Sequence, residues 1–304
     1  MKSFFKKIFA RKSDRLARRF GPFTVILLVF LIVYAVSLVA PLLWAFLTAS
    51  KLNDDFRSNI LGLPDPFAWN YTYVFERFYI VLTKPGIGTY RVTVLRMFLN
   101  TILYALGCTL TNTITLCATA YCCAKFKRKL SNILYTTVLV TMILPVVGSM
   151  PAEVQMAKTL GIYDHIWGLW IMKANFTGMY FLVFHAGFRG IPTTYSEAAK
   201  IDGANNFYIF VKIMLPLIKT LFFTVCLVSF ISFWNDYQVP LLYMPSYPTI
   251  ARGVYEMAST SDNELATIPM RMASTMLVFL PIFAVFLVFH KRLMGELTLG
   301  GIKG

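Results

Sequence analysis

The chain has 304 residues, of which 57% are hydrophobic and 14% charged, with 29 Lys and Arg against 14 Asp and Glu. A soluble domain carries about 25% charged residues, so this balance points to a membrane protein. The net charge of +15 gathers in short clusters beside apolar runs, with no basic stripe or aromatic RNA-binding motif, which excludes a nucleic-acid binder.

Residues 1–20, "MKSFFKKIFARKSDRLARRF", hold eight Lys or Arg against one Asp and read as a basic cytoplasmic segment. No charge occurs from Gly21 to Ser50, so residues 22–47 make a first span. That run is longer than a signal-peptide core and more spans follow, so the expectation is an uncleaved anchor. Further runs lie at 97–123, 131–151, 171–188, 214–234 and 270–290, giving six transmembrane helices in a domain over 21–290. Pro145, Gly148 and Pro151 predict a bend at the end of the third. Lys173 interrupts the apolar block that starts near Ile166, which makes "HIWGLWI" an interfacial piece with Trp167 and Trp170 at headgroup level. The basic clusters at 1–20, at 125–129 and at Lys291 and Arg292 share one side if both termini are cytoplasmic. Residues 291–304 then form a cytoplasmic tail, and the connection between spans four and five also faces the cytoplasm.

That connection reads "YSEAAKIDGANNFYIFVKIMLP". Ser196 or Thr194 can cap a short helix whose first turn carries Glu197, and Ala198 and Ala199 leave a small surface. Gly203 is a natural stop, Asn205 or Asn206 can cap a second helix, and Phe207, Phe210, Val211 and Met214 recur at helical spacing. Pro216 then helps turn the chain into span five. A helix–turn–helix elbow over 195–216 is predicted.

The extended pattern Glu197-Ala198-Ala199, Asp202-Gly203-Ala204, Ile213 and Leu215-Pro216 resembles the EAA motif of permease subunits in ABC importers. "FLNTILYA", "WNDYQVPLLY" and the terminal "GELTLGGIKG" are similar to the carbohydrate-uptake group that includes the smaller membrane subunit of the maltose transporter. This resemblance implies an all-α membrane protein with the type I ABC importer permease fold and cytoplasmic coupling helices. It implies a cell-membrane protein that translocates a carbohydrate delivered by an extracytoplasmic binding protein. The implied partners are a second homologous permease subunit and two ATPase subunits, with the tail reaching the ATPase interface. Glu197, Ala198, Ala199, Asp202, Gly203 and Ala204 would couple to the ATPase.

The chain has no GxxxxGK[ST] phosphate loop, nucleophile elbow or metal signature, so any ATP and Mg would be bound by partner subunits and no cofactor is expected here. His165, His185 and His290 are scattered, and the five cysteines, including adjacent Cys122 and Cys123, show neither metal-ligand nor secreted-scaffold spacing. Thr224, Ser229, Ser232, Asn235 and Asp236 fall on one face of span five. Ser229, Ser232, Asn235 and mid-span Asn112 are candidates for lining a pathway, and interhelical hydrogen bonding is the alternative. A self-contained channel or secondary transporter is disfavoured by the near-absence of mid-span acids and bases, and a non-sugar solute stays open.

Overall fold

A computed structural model describes residues 22–84, 88–126, 129–144, 148–259 and 264–294. The segment 1–20, Pro145, the centre of the 125–129 cluster and residues 295–304 of the expected tail lie outside them. The apolar runs become helices because a helix satisfies every backbone N–H and C=O within its own segment. Among the described residues three helices are long and apolar enough to cross a membrane: α1 (Pro22–Ala49), α4 (Val94–Lys125) and α14 (Ile268–Met294). Between α1 and α4 lie two short helices, α2 (Asn53–Ser58) and α3 (Asn70–Arg77), and a hairpin of β1 (Tyr79–Lys84) and β2 (Gly88–Thr93).

The hairpin is a departure from the all-helical expectation. Its strands pair antiparallel, with Val81 opposite Arg91 and Tyr79 opposite Thr93. "YIVLT" and "TYRVT" carry the β-branched and aromatic residues that suit a pleated surface, and Ile80 and Val92 turn inward onto the core.

Two of the six expected spans are shorter in the structure. The third ends at Ile143 as α5 (Lys129–Ile143), whose 15 residues reach about 22 Å, short of a hydrocarbon core of about 30 Å. The chain resumes as α6 (Met150–Thr159) after Gly148 at φ +81, and Pro145 of the expected bend lies outside the described residues. The fourth divides into α7 (Ile166–Lys173) and α8 (Met179–Arg189), separated by "ANFTG" with Gly178 at φ +136. Lys173 therefore ends a helix, as its cost in lipid would require. Trp167 is exposed, but Trp170 lies against α4, its Nε1 donating to the Leu103 carbonyl at 3.1 Å. A Cβ at Gly107 would sit 2.0 Å from that nitrogen, so glycine is what admits the indole.

The elbow follows as α9 (Thr194–Ile201) and α10 (Asn206–Leu217), then α11 (Lys219–Asn235), α12 (Gln238–Tyr243) and α13 (Ile250–Ala258). The axes of α10 and α11 differ by 81°, and read as one broken span they bring the membrane-length segments to four. The expected start of span five at 214 is thus too early: Met214–Leu217 belong to the elbow helix. Pro216 has no N–H to give the ladder, and the Ile218 N–H is shared between the Met214 and Leu215 carbonyls at 3.3 and 3.2 Å. Helix α4 is the spine. It packs against α7, α8, α11 and α13, while α14 joins α1, α3, α11 and α13.

Candidate functional site

Helix α9 ends where the sequence predicts. Gly203 adopts φ +81, Asp202 occupies the C-cap, and the Ala204 N–H returns to the Ala199 carbonyl at 2.9 Å. Nothing lies within 4 Å of a Cβ built on Gly203, so its requirement is conformational, not steric. Asn205 is the N-cap of α10, its Oδ1 accepting the Tyr208 N–H at 2.8 Å. The first cap differs from expectation. Thr193 holds the N-cap position without a side-chain bond, and Ser196 instead donates its hydroxyl to the Thr193 carbonyl at 2.8 Å.

The predicted stripe on the second helix is also re-registered. Phe207 is 76% exposed, whereas Ile209, Met214 and Ile218 are buried. Residues Ile209–Met214 form a π-helical stretch, whose i→i+5 hydrogen bonding brings positions five apart onto one side. Of the stripe residues, Met214 alone is fully buried, and Phe210 and Val211 are half-buried.

Of the motif residues, Ala199 is buried, Ala204 is half-buried, and Glu197, Ala198, Asp202 and Gly203 are exposed. Beside them stand exposed Tyr195, Ile201, Phe207 and Tyr208, with Ile201 at 86%. Large apolar side chains clustered on an exposed turn mark an interaction surface. The inner side of the elbow is packed firmly. Ala199, Ile209, Met214 and Ile218 join Leu116, Cys117, Ala120 and Tyr121 of α4 and Phe181, Phe184 and Phe188 of α8 in one core. The Tyr121 ring lies 4.8 Å from Phe210 and 5.3 Å from Phe188, in the range of favourable aromatic pairs. Lys125, at the last turn of α4, donates to the Ile191 carbonyl at 2.6 Å. Tyr121 and Lys125 are site residues that the sequence reading missed. "CCAKF" carries no local sign of what its side chains meet across the fold.

The predicted polar face of α11 is split. Ser232 and Asn235 are exposed, and their side chains donate to the Val228 and Ile231 carbonyls one turn back, at 3.0 and 2.9 Å. Ser229 is buried. Asp236 turns inward, its Oδ2 accepting the hydroxyl of fully buried Tyr104 at 2.9 Å and its Oδ1 accepting the Val239 N–H at 3.1 Å. On α4, the Oδ1 of half-buried Asn112 has no hydrogen-bond partner among the described residues, and neither has the Thr109 hydroxyl.

At the opposite end of α4 from the elbow, the loop between α12 and α13 is held by polar side chains. Asn100 donates to the Pro248 carbonyl at 3.0 Å, and Thr101 accepts the Ile250 N–H at 2.9 Å. Asp164 takes the N–H and hydroxyl of Ser246, at 2.8 and 2.6 Å. Buried Arg252 pairs with Glu256 at 2.7 Å and donates to the Pro245 carbonyl at 2.8 Å. Tyr243 donates to Glu153 at 2.8 Å. Hydrogen bonds from Ser149 and Tyr243 hold the Glu153 carboxyl below its ordinary range. Burial, with the bond to Glu153, pushes Tyr243 up to about 12. Among the described residues no group of three His, Cys, Asp or Glu side chains gathers as metal ligands would.

Comparison with known proteins gives this geometry a context. The multiple sugar-binding transport system permease protein MsmG of Streptococcus mutans is 26% identical over 283 residues, covering 90% of this chain and 95% of its own length. The diacetylchitobiose uptake system permease protein NgcG of Streptomyces coelicolor is 24% identical, covering 97% of this chain and 93% of its own. A solved bacterial ABC transporter involved in import of the acidic polysaccharide alginate shares the fold, with a TM-score of 0.74 over 92% of this chain and 97% of that chain at 22% identity. Residues 115–295, more than half the chain and the whole elbow with it, match the family described as binding-protein-dependent transport system inner membrane component. The chain belongs to that family.

Proposed function

We propose that this chain is a membrane subunit of an ATP-driven carbohydrate importer, with the elbow over 195–216 as its contact to a separate ATPase. The observation that supports the elbow's role is its two-sided build. An exposed apolar rim of Ile201, Phe207 and Tyr208 stands on an inner side locked to α4 and α8 through Ala199, Ile209 and Phe210. A push on that rim reaches the spine of the bundle without an intervening flexible joint. Two relatives named for sugar and diacetylchitobiose uptake support carbohydrate as the cargo class.

In this reading the chain crosses the membrane six times, α5 and α8 completing their crossings with neighbouring segments, and both termini face the cytoplasm. The partners are a second homologous permease, two ATPase subunits that bind ATP and Mg, and an extracytoplasmic binding protein. ATPase closure moves the elbow, and the elbow tilts α4 and α11 to switch access from one side to the other. Ser232 and Asn235, exposed on α11, are the pathway candidates that can meet solute hydroxyls in this conformation; Asn112, whose Oδ1 is buried and without a hydrogen-bond partner among the described residues, would do so only after α4 moves. Ser229 would do so only after α11 moves, because it is buried in this conformation.

Affinity purification of the chain from its native membrane tests the assembly: an ATPase subunit should co-purify, and its consistent absence would sink the reading. Replacing buried Ala199 by Glu tests the elbow, and should lower uptake while the ATPase subunits still hydrolyse ATP.

A further inference from the structure

The hairpin, the first turns of α4 and the loop between α12 and α13 line a half-open cavity of about 470 Å³ at the end of α4 remote from the elbow. Its lining includes Arg91 of β2, Arg96 of the first turn of α4, Tyr90, Tyr247, Asn100 and Ser246, and contains no Asp or Glu. Two arginines, both exposed, thus line one space with no carboxylate among its lining residues. Arg91 lies over the Tyr79 ring, its guanidinium carbon 4.3 Å from the ring centroid, a cation–π contact that anchors the side chain on the hairpin. Among the described residues Arg96 forms no ion pair, and the N-terminus of α4 adds positive potential of the same sign.

The wall opposite the arginines is already in place. Asn100, buried, fixes Pro248, and Asp164, which is not among the lining residues, fixes Ser246 through both carboxylate oxygens. A cavity of this volume falls within the range of small-molecule sites, about 300–1,000 Å³, and is larger than a single carboxylate needs. Half-buried Tyr90 supplies a ring face and a hydroxyl of the kind that meet a saccharide. Paired guanidiniums match a carboxylate or phosphate in two-point geometry.

We infer that this cavity binds the anionic substituent, a carboxylate or phosphate, of a saccharide at the extracytoplasmic mouth. The inference rests on the importer reading for its sidedness and its cargo class. An anionic sugar held there would sit at the entrance to the bundle, oriented before it moves on toward α11.

The test reads the cavity directly and leaves transport aside, so its outcome is separate from that of the importer reading. The full chain is placed in neutral phosphatidylcholine nanodiscs. Modification of Arg91 and Arg96 by phenylglyoxal is followed by mass spectrometry, with a uronic-acid disaccharide, a sugar phosphate or a neutral disaccharide present. At about ten times its dissociation constant, an anionic probe should slow modification of both arginines about tenfold. The neutral disaccharide should leave the rates unchanged. In Arg96→Gln chains, protection of Arg91 should fall, since one guanidinium is left to hold the anion. Equal protection by the neutral sugar, or none by any probe, overturns the inference. So does protection by phosphatidylglycerol nanodiscs in place of the sugars, which would make the occupant a lipid headgroup.

Discussion

At its Lys125 end α4 meets the elbow and the end of α8 before it through aromatic rings and one ammonium–carbonyl bond to Ile191, whereas at its Val94 end it meets the α12–α13 loop through buried side-chain hydrogen bonds. The first joint is apolar, continuous and open to an exposed surface. The second is polar, directional and spent within the chain. Apolar packing has no angular preference, so it carries displacement between helices as they tilt. Hydrogen bonds to buried groups are costly to leave unmade, so they hold a frame in one geometry. The two ends therefore suit the different tasks of the proposed function: one to pass motion on, the other to keep its end of the bundle in shape.

The contrast breaks most visibly at Gly203. A Val there must adopt φ +81, where an ordinary residue pays about 1–2 kcal/mol and a β-branched one more. Open space around the Cβ leaves no steric clash to confuse the outcome. We expect Gly203→Val to abolish uptake by the reconstituted assembly while ATP hydrolysis persists, with Gly203→Ala intermediate. Uptake equal to wild type would mean that the turn after α9 does not carry the coupling.

The polar end predicts a loss of stability instead. Tyr104→Phe removes the hydroxyl that Asp236 accepts in a buried setting, and hydrogen bonds to charged groups are worth about 1.5–3 kcal/mol. The detergent-solubilised chain should melt at a lower temperature, while ATPase co-purification, which the proposed reading assigns to the elbow, should not change. A matching loss of ATPase binding would show that the two ends are not separable.

The elbow was legible in the sequence to an unusual depth, because its signals are local. Gly203 and Asn205 act through their own backbone and side chains within three or four residues, and both do what was expected. The π-helical stretch was not legible. A periodicity of 3.6 placed Phe207 on the packed side, yet the wider turn buries Ile209 and Met214 and turns Phe207 out. Nothing in "NFYIFVKIM" announces i→i+5 bonding, which tertiary packing against Tyr121 and Phe188 accompanies. The hairpin is legible in "YIVLT" and "TYRVT", short β-branched and aromatic runs that a search for long apolar spans passes over. Partners such as Tyr104 and Asp236 are 132 positions apart, and no local pattern joins them.

A smaller effect is expected at Thr249, the N-cap of α13, whose hydroxyl accepts the Arg252 N–H at 3.3 Å. Thr249→Ala should cost about 1 kcal/mol. Hydrogen–deuterium exchange should show faster opening of the first turn of α13 and the adjoining loop, with α9 and α10 unaffected. Equal loosening at the elbow would argue that the frame and the coupling joint share one cooperative unit.

The weakest expected effect is the pH dependence of the Glu153–Tyr243 bond, which ties α6 to α12. Hydrogen bonds from Ser149 and Tyr243 favour the ionised carboxylate, so the folded pKa lies below the ordinary value of 4.5. A group with a depressed pKa adds stability above its unfolded value and loses it as pH falls through the folded one. The contribution is therefore complete at neutral pH and disappears below about pH 4.5, in a window set by the lowered folded value. Glu153 is partly solvated, so screening keeps the effect under about 1 kcal/mol. Melting temperatures measured from pH 7 down to pH 3 should fall less steeply in Glu153→Gln than in wild type, and the two curves should converge at the acid end. Parallel curves would show that the α6–α12 tie rests on packing, and that the polar frame ends at Asp164 and Arg252.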